Sequence, residues 1–192
     1  MKVLGIDGSP REGKGNTEIV VRKALDVCKG NGLETEFVAI SDLKVEYCDH
    51  CNDCLTEPKC SKDDDVESIL ERMEEADAII IGSPTYFGSV PGKLKSLLDR
   101  TVVLRRHGLK LSGKIGGAIV VGGSRNGGQE FTIMTIRNWM LMQEMLVVGD
   151  KETAHFGGIC VGRKRGEVLG DKEGIKTVEN LGKKMVEVLK RD

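Results

Sequence analysis

Four of the six cysteines fall within thirteen residues, as Cys48, Cys51, Cys54 and Cys60 in the pattern C-x2-C-x2-C-x5-C. Thiolates at three-residue steps can wrap one inorganic cube. The ferredoxin run C-x2-C-x2-C-x3-C-P sends its fourth cysteine to a second cluster. Here the last spacer is longer and Ser61, not proline, follows. All four cysteines are therefore expected to ligate a single [4Fe-4S] cluster. Zinc is the alternative, although structural zinc sites usually present two separated ligand pairs. His50, inside the run, is expected beside the ligands rather than among them. Asp49, Asp53 and Glu57 would place negative charge there, lowering the potential or keeping the loop soluble. Cys28 falls on the apolar face of a helix and reads as core, as does Cys160 after Gly157-Gly158.

Three glycine-rich segments carry the other chemistry. Residues 8–15 read GSPREGKG, a near match to the phosphate loop GxxxxGK[ST], but Gly15 stands where a magnesium-binding hydroxyl belongs. Nucleotide hydrolysis is thereby disfavoured, whereas phosphate binding is not. Ser9 and Thr17 offer hydroxyls, Asn16 an amide, Arg11 a charge, and the following helix free N–H groups. Residues 82–92 read GSPTYFGSVPG. Adjacent Tyr86 and Phe87 stand out in a chain that is 4% aromatic, and such a loop can offer amides and a flat apolar surface to a planar ring. Residues 122–130 form a third loop, GGSRNGGQE.

These loops need a scaffold that brings them together. Apolar strand-like runs are expected at 2–7, 34–40, 77–82, 115–121 and 146–148. Helices are expected at 17–29 with Thr17 as its cap, from 63 onward with acids at its N-terminal end, from Pro91 through Leu104, up to Met142, and at 171–190. Strict alternation implies an α/β doubly wound parallel sheet with helices on both faces. In such sheets ligands bind at the carboxyl ends of the strands, where all three loops emerge. No repeat or linker divides the 192 residues, so one domain, 1–192, is expected, with 47–61 as an insertion after the second strand. Lys and Arg number 29 and Asp and Glu 30, a net charge of −1 that favours neither nucleic acid nor an anionic membrane. No run approaches the roughly 20 apolar residues of a membrane span. The N-terminus reads as a strand, not a signal peptide. A cytoplasmic location with reduced thiols is expected. Arg100, Arg105, Arg106 and Lys110 form a basic stretch that reads as a solvated helix end, with a docking patch for an acidic partner as the alternative. Trp139, Met140, Met142 and Met145 read as core or subunit interface.

GSPTYFGSVPGKLKSLLDR resembles the signature of the flavodoxin-like NAD(P)H-dependent FMN reductase family, and the first and third loops resemble its flavin loops. The resemblance implies a flavodoxin-like sheet of order 2-1-3-4-5 and FMN as cofactor. It implies that Ser9, Arg11, Asn16 and Thr17 hold the phosphate. Pro84, Thr85, Tyr86, Phe87 and Gly88 would contact the ring, with Ser124, Gly127 and Gly128 on its other side. The cysteine spacing on such a chain is similar to the iron–sulfur flavoproteins of anaerobic microbes. That likeness implies a homo-oligomer, often a tetramer, and ferredoxin as electron donor. Two other classes stay open: an NAD(P)H-dependent flavin or quinone reductase with structural zinc, and a nucleotide-binding carrier of clusters.

Overall fold

The computed structural model describes residues 1–191. Its strands are β1 Lys2–Asp7, β2 Glu34–Ala39, β3 Ala78–Pro84, β4 Ile115–Gly122, β5 Leu146–Val147 and β6 Gly158–Val161. The α-helices are α1 Asn16–Gly30, α2 Val66–Glu75, α3 Gly92–Arg100, α4 Val102–Arg106, α5 Gln129–Met142 and α6 Lys172–Leu189. The sheet runs β2-β1-β3-β4-β5, the expected order, and every strand pair is parallel. Successive residues of the central strands point to opposite faces, and both faces are covered. Leu4, Ile6, Ile79, Ile81 and Val120 enter a core with α2, α3 and α5. Val3, Ile80, Ile119 and Val121 enter a second core with α1 and α6.

The fifth sheet position is shared. β5 pairs only with Ile115 and Gly116 at the start of β4. The chain then leaves the sheet and returns as β6 beside Ile119 to Gly122. Arg137 on α5 holds both ends of this excursion, donating to the Val148 and Phe156 carbonyls at 3.4 and 2.6 Å. At Gly157 a β-carbon would lie 2.3 Å from the Ala118 carbonyl oxygen, so only glycine lets the chain re-enter. Cys160 on β6 is fully buried, and burial pushes its thiol pKa up. Cys28 is buried as well, its thiol pushed up to about 11.

Three expectations need correction. The helix expected from Pro91 through Leu104 has Pro91 as its N-cap, not its first turn, and is divided at Thr101. The Thr101 hydroxyl donates to the Leu98 carbonyl at 2.6 Å and accepts from Trp139 Nε1 at 2.9 Å and Gln143 Nε2 at 2.8 Å. The acids 63–65 do not form the first turn of α2, which begins at Val66. Asp64 instead turns inward, and Asp65 accepts from the Lys44 amide at 2.6 Å. Thr17 does not cap α1; Gly15 occupies the N-cap, with no side chain satisfying the first-turn amides.

α1 crosses closely over β3. A β-carbon on Gly82 would lie 2.2 Å from Val21 Cγ2 and 3.0 Å from Thr17 Cγ2, both on α1. Gly82→Ala should lower stability by about 1–3 kcal/mol through overpacking. Gly92→Ala, where a β-carbon meets nothing, should leave stability unchanged or slightly raise it. Urea unfolding compares the two, and equal midpoints would contradict this packing.

Candidate functional site

The register of β1, β3 and β4 sets the site. Asp7 pairs with Gly82, and Pro84 with Val121, so the loops after these strands leave from one edge. Beyond that edge lies a cavity of about 180 Å³. Ser9, Arg11, Asn16, Thr17, Pro84, Thr85 and Tyr86 all line it, joined by Val121, Gly123, Gly162 and Arg163. Ser9 and Thr17 are buried at its floor, while Arg11 and Arg163 are exposed at its rim. The uncapped first turn of α1 leaves amides free for an anion. Thr85 Oγ1 is buried without a partner among the described residues, a donor held ready beside this cavity. Asn16 spends both amide hydrogens elsewhere, on the Gly162 and Lys164 carbonyls at 2.9 and 2.8 Å. It fastens the segment after β6 over the cavity.

Five expected site residues, Phe87, Gly88, Ser124, Gly127 and Gly128, stand apart from the cavity wall. Phe87 is fully exposed at the tip of a two-residue hairpin. The Tyr86 amide donates to the Ser89 carbonyl at 2.8 Å and the Ser89 amide to the Tyr86 carbonyl at 3.0 Å. Phe87 and Gly88 both have positive φ, the left-handed pair such a turn requires. Ser124 and Gly127 belong to a loop braced within itself: Gln129 Nε2 donates to the Ser124 carbonyl at 2.7 Å, and its Oε1 accepts from the Gly127 amide at 2.8 Å. Gly128 abuts the hairpin, since a β-carbon there would meet Gly88 Cα at 3.1 Å. From this loop only Gly123 reaches the cavity, with Val121 before it. Gly162 and Arg163 had no signal in the sequence, because β6 is too short to show strand periodicity.

The cysteine segment packs against the end of α3 and against α4. Cys48, Cys51, Cys54 and Cys60 line one cavity of about 190 Å³, with Lys62, Arg100, Val103 and Arg106 among its other walls. His50 also lines it. His50 and Asn52 take positive φ, and Asp53–Leu55 forms a 3-10 turn, so the chain curls around the cavity. Among the described residues, no three His, Cys, Asp or Glu side chains converge tightly enough to chelate one metal ion. The thiols ring a space instead of meeting at a point. Arg106 Nη1 donates to Cys54 Sγ at 2.8 Å, and His107 Nε2 lies 3.1 Å from the Cys54 carbonyl oxygen.

The basic stretch is therefore not simply a solvated helix end. Arg100 is buried and ion-paired with Asp64. Burial works against the charge of Asp64. The bond from Arg100 and the amides of Glu46 and Val66 outweigh it and hold the carboxyl below its ordinary range. Burial likewise lowers Arg100, but the Asp64 carboxylate bonded to it and the nearby Cys60 sulfur leave its pKa raised. Arg105 donates to the Met142 carbonyl at 2.5 Å, and Lys110 pairs with Glu74 at 2.6 Å.

A model of the family of NADPH-dependent FMN reductases matches residues 1–156. The chain belongs to that family. It is accordingly an FMN-dependent oxidoreductase. It is 51% identical over 191 residues to an iron–sulfur flavoprotein of Methanocaldococcus jannaschii, covering 99% of this chain and 98% of the relative. It is 45% identical over 189 residues to an iron–sulfur flavoprotein of Methanosarcina thermophila, covering 98% and 95%. Among solved structures, a flavodoxin from the domain Archaea superposes with a TM-score of 0.65 at 17% identity, covering all of both chains. The family match ends before β6, so Gly162 and Arg163 lie beyond it. Residues of the first cavity suit FMN: an uncapped helix start, two buried hydroxyls and rim arginines could meet a phosphate, and Thr85 offers a hydroxyl unpaired among the described residues.

Asp7, at the end of β1, was not singled out by the sequence. It is buried, and its Oδ1 accepts from the Ser9 amide at 2.9 Å, shaping the first turn of the loop that follows β1. Burial raises its pKa from 3.8 to about 7, with Glu18 and Asp42 adding to the rise. The folded chain keeps this proton where the unfolded chain has released it. The resulting stability is present at acid pH and is lost as pH rises through about 7. Asp7→Asn keeps a neutral acceptor for Ser9. It should melt near wild type at about pH 4.5 and be more stable at about pH 8, on the order of a few kcal/mol. The same difference at both pH values would contradict a protonated Asp7.

Proposed function

We propose that this chain is an electron-transfer protein of the cytoplasm. It couples a [4Fe-4S] cluster on Cys48, Cys51, Cys54 and Cys60 to FMN, taking electrons from reduced ferredoxin and delivering them to a separate acceptor. One observation carries the reading: the four cysteines, alone among the six, line a single cavity that Lys62, Arg100 and Arg106 also line, in a chain of an FMN reductase family. Cluster chemistry moves one electron at a time and flavin chemistry one or two, and the cofactors supply that reactivity. The protein's part is placement. The sheet edge holds the flavin's phosphate and ring, the curled segment holds the sulfurs, and no side chain is needed as nucleophile or general base.

The working unit in this reading is a homo-oligomer, taken as a tetramer, in which a neighbouring copy brings a cluster close to each FMN. α5 supports it. Phe131, Met134, Leu141 and Met142 leave an apolar stripe exposed along this helix, and Leu146 and Phe156 extend it. A helix apolar on its outer as well as its inner face is built to be covered. Among the described residues no helix is long and apolar enough to cross a membrane, so the stripe is read as facing another copy.

Stopped-flow reduction by reduced ferredoxin tests the electron path. Cys54→Ala should lose cluster iron while retaining FMN, since the flavin cavity shares no residue with the cysteine cavity. Its FMN should then be reduced by ferredoxin at least tenfold more slowly than in wild type, while dithionite reduces both. Equal ferredoxin rates would remove the cysteine segment from the path.

A further inference from the structure

Arg100 is the largest fully buried side chain among the described residues. Its guanidinium is only partly satisfied. Nη1 donates to Asp64 and, at 3.3 Å, to the Glu46 carbonyl. Nε and Nη2 are buried with no acceptor among the described residues. A buried, charged donor without an acceptor is strongly unfavourable, and proteins rarely keep one without a ligand for it. Arg100 also lines the cavity ringed by the four cysteines. Asp64 fixes it there from the opposite side, itself held by the amides of Glu46 at 2.8 Å and Val66 at 3.2 Å. The cation sits at the last residue of α3, where the helix dipole favours positive charge.

We propose that Arg100, anchored by Asp64, is a positioning residue that aims its two free donors at the sulfurs in this cavity and thereby raises the cluster's reduction potential. This rests on the reading that the four cysteines hold a cluster. Such a cluster is a net anion, and one electron from a one-electron donor makes it more negative with no bond broken. A fixed cation with N–H groups toward sulfur stabilises that reduced form more than the oxidised one. Arg106, which touches Cys54 Sγ from an exposed position, acts in the same sense but more weakly because solvent screens it.

The test is a spectroscopic redox titration of anaerobically purified protein, preceded by iron and acid-labile sulfide analysis. Arg100→Gln removes the charge and should shift the equilibrium about tenfold away from the reduced cluster, which is ~59 mV downward for one electron. Asp64→Asn removes the counter-charge and should shift the potential upward. Arg106→Gln should lower it by less than Arg100→Gln, and the FMN potential should stay put in all three. Opposite signs at Arg100 and Asp64 are not what a purely structural pair would give. If Arg100→Gln cannot hold iron, an upward shift in Asp64→Asn with a downward shift in Arg106→Gln still supports the proposal. Unchanged potentials, shifts of one sign at both Arg100 and Asp64, or iron lost from all three variants would overturn it. A wild type without iron and sulfide would instead overturn the reading of the cysteine cavity.

Discussion

Asp7 lies across from Gly82, and Pro84 across from Val121, in the parallel register that joins β1, β3 and β4. A parallel ladder sends every strand's carboxyl end the same way, so this register alone aligns three loops far apart in sequence. Its tightness comes from small residues: at Gly82 the backbone approaches α1 more closely than any side chain would permit. The helix start is thereby pressed toward the sheet edge, and Thr17 on its first turn reaches the cavity floor. The residues that line the cavity thus sit on loops springing from the middle of the sheet.

The cysteine segment follows an edge strand and has almost no apolar core of its own. Charge and hydrogen bonds do much of the holding. Asp64, at the far end of the segment, pairs with Arg100 on α3, and Arg106 on α4 reaches Cys54. Tyr47, Leu55 and most of the surrounding side chains stay exposed. A buried ion pair is weak evidence for stability but a good device for fixing orientation. Here it fixes one guanidinium against the ring of thiols. The break at Thr101 serves the same end, since Arg100 and Arg106 then stand on two short helices that both face the cavity.

Much of this was legible in the sequence because the signals were local and periodic. Ala78 to Ile81 could only be a strand buried on both faces, and GSPREGKG could only be a turn into a helix. The cysteine spacing set four residues apart from the other two cysteines, and the fold brings those four to one cavity. What escaped depended on distant partners. β6 has four residues, and its place in the sheet comes from Gly157 fitting beside Ala118. Arg163 lines the cavity at the sheet edge, where Asn16 fastens that segment from the other end of the chain. Arg100 looked like one of several surface cations. Only Asp64, thirty-six residues away, reveals it as interior. Asp7 was hidden for the same reason: a lone carboxylate at a strand end says nothing of burial until both neighbouring strands are placed.

The central claim is that one chain holds a cluster and a flavin together. Its most direct test is the cofactor content of the wild-type protein purified without oxygen, read by absorption spectrum with iron, sulfide, zinc and flavin analysis. The account predicts flavin bands over broad iron–sulfur absorbance, with FMN, about four iron and about four acid-labile sulfide for each chain. Zinc in place of iron, with flavin alone in the spectrum, would contradict it.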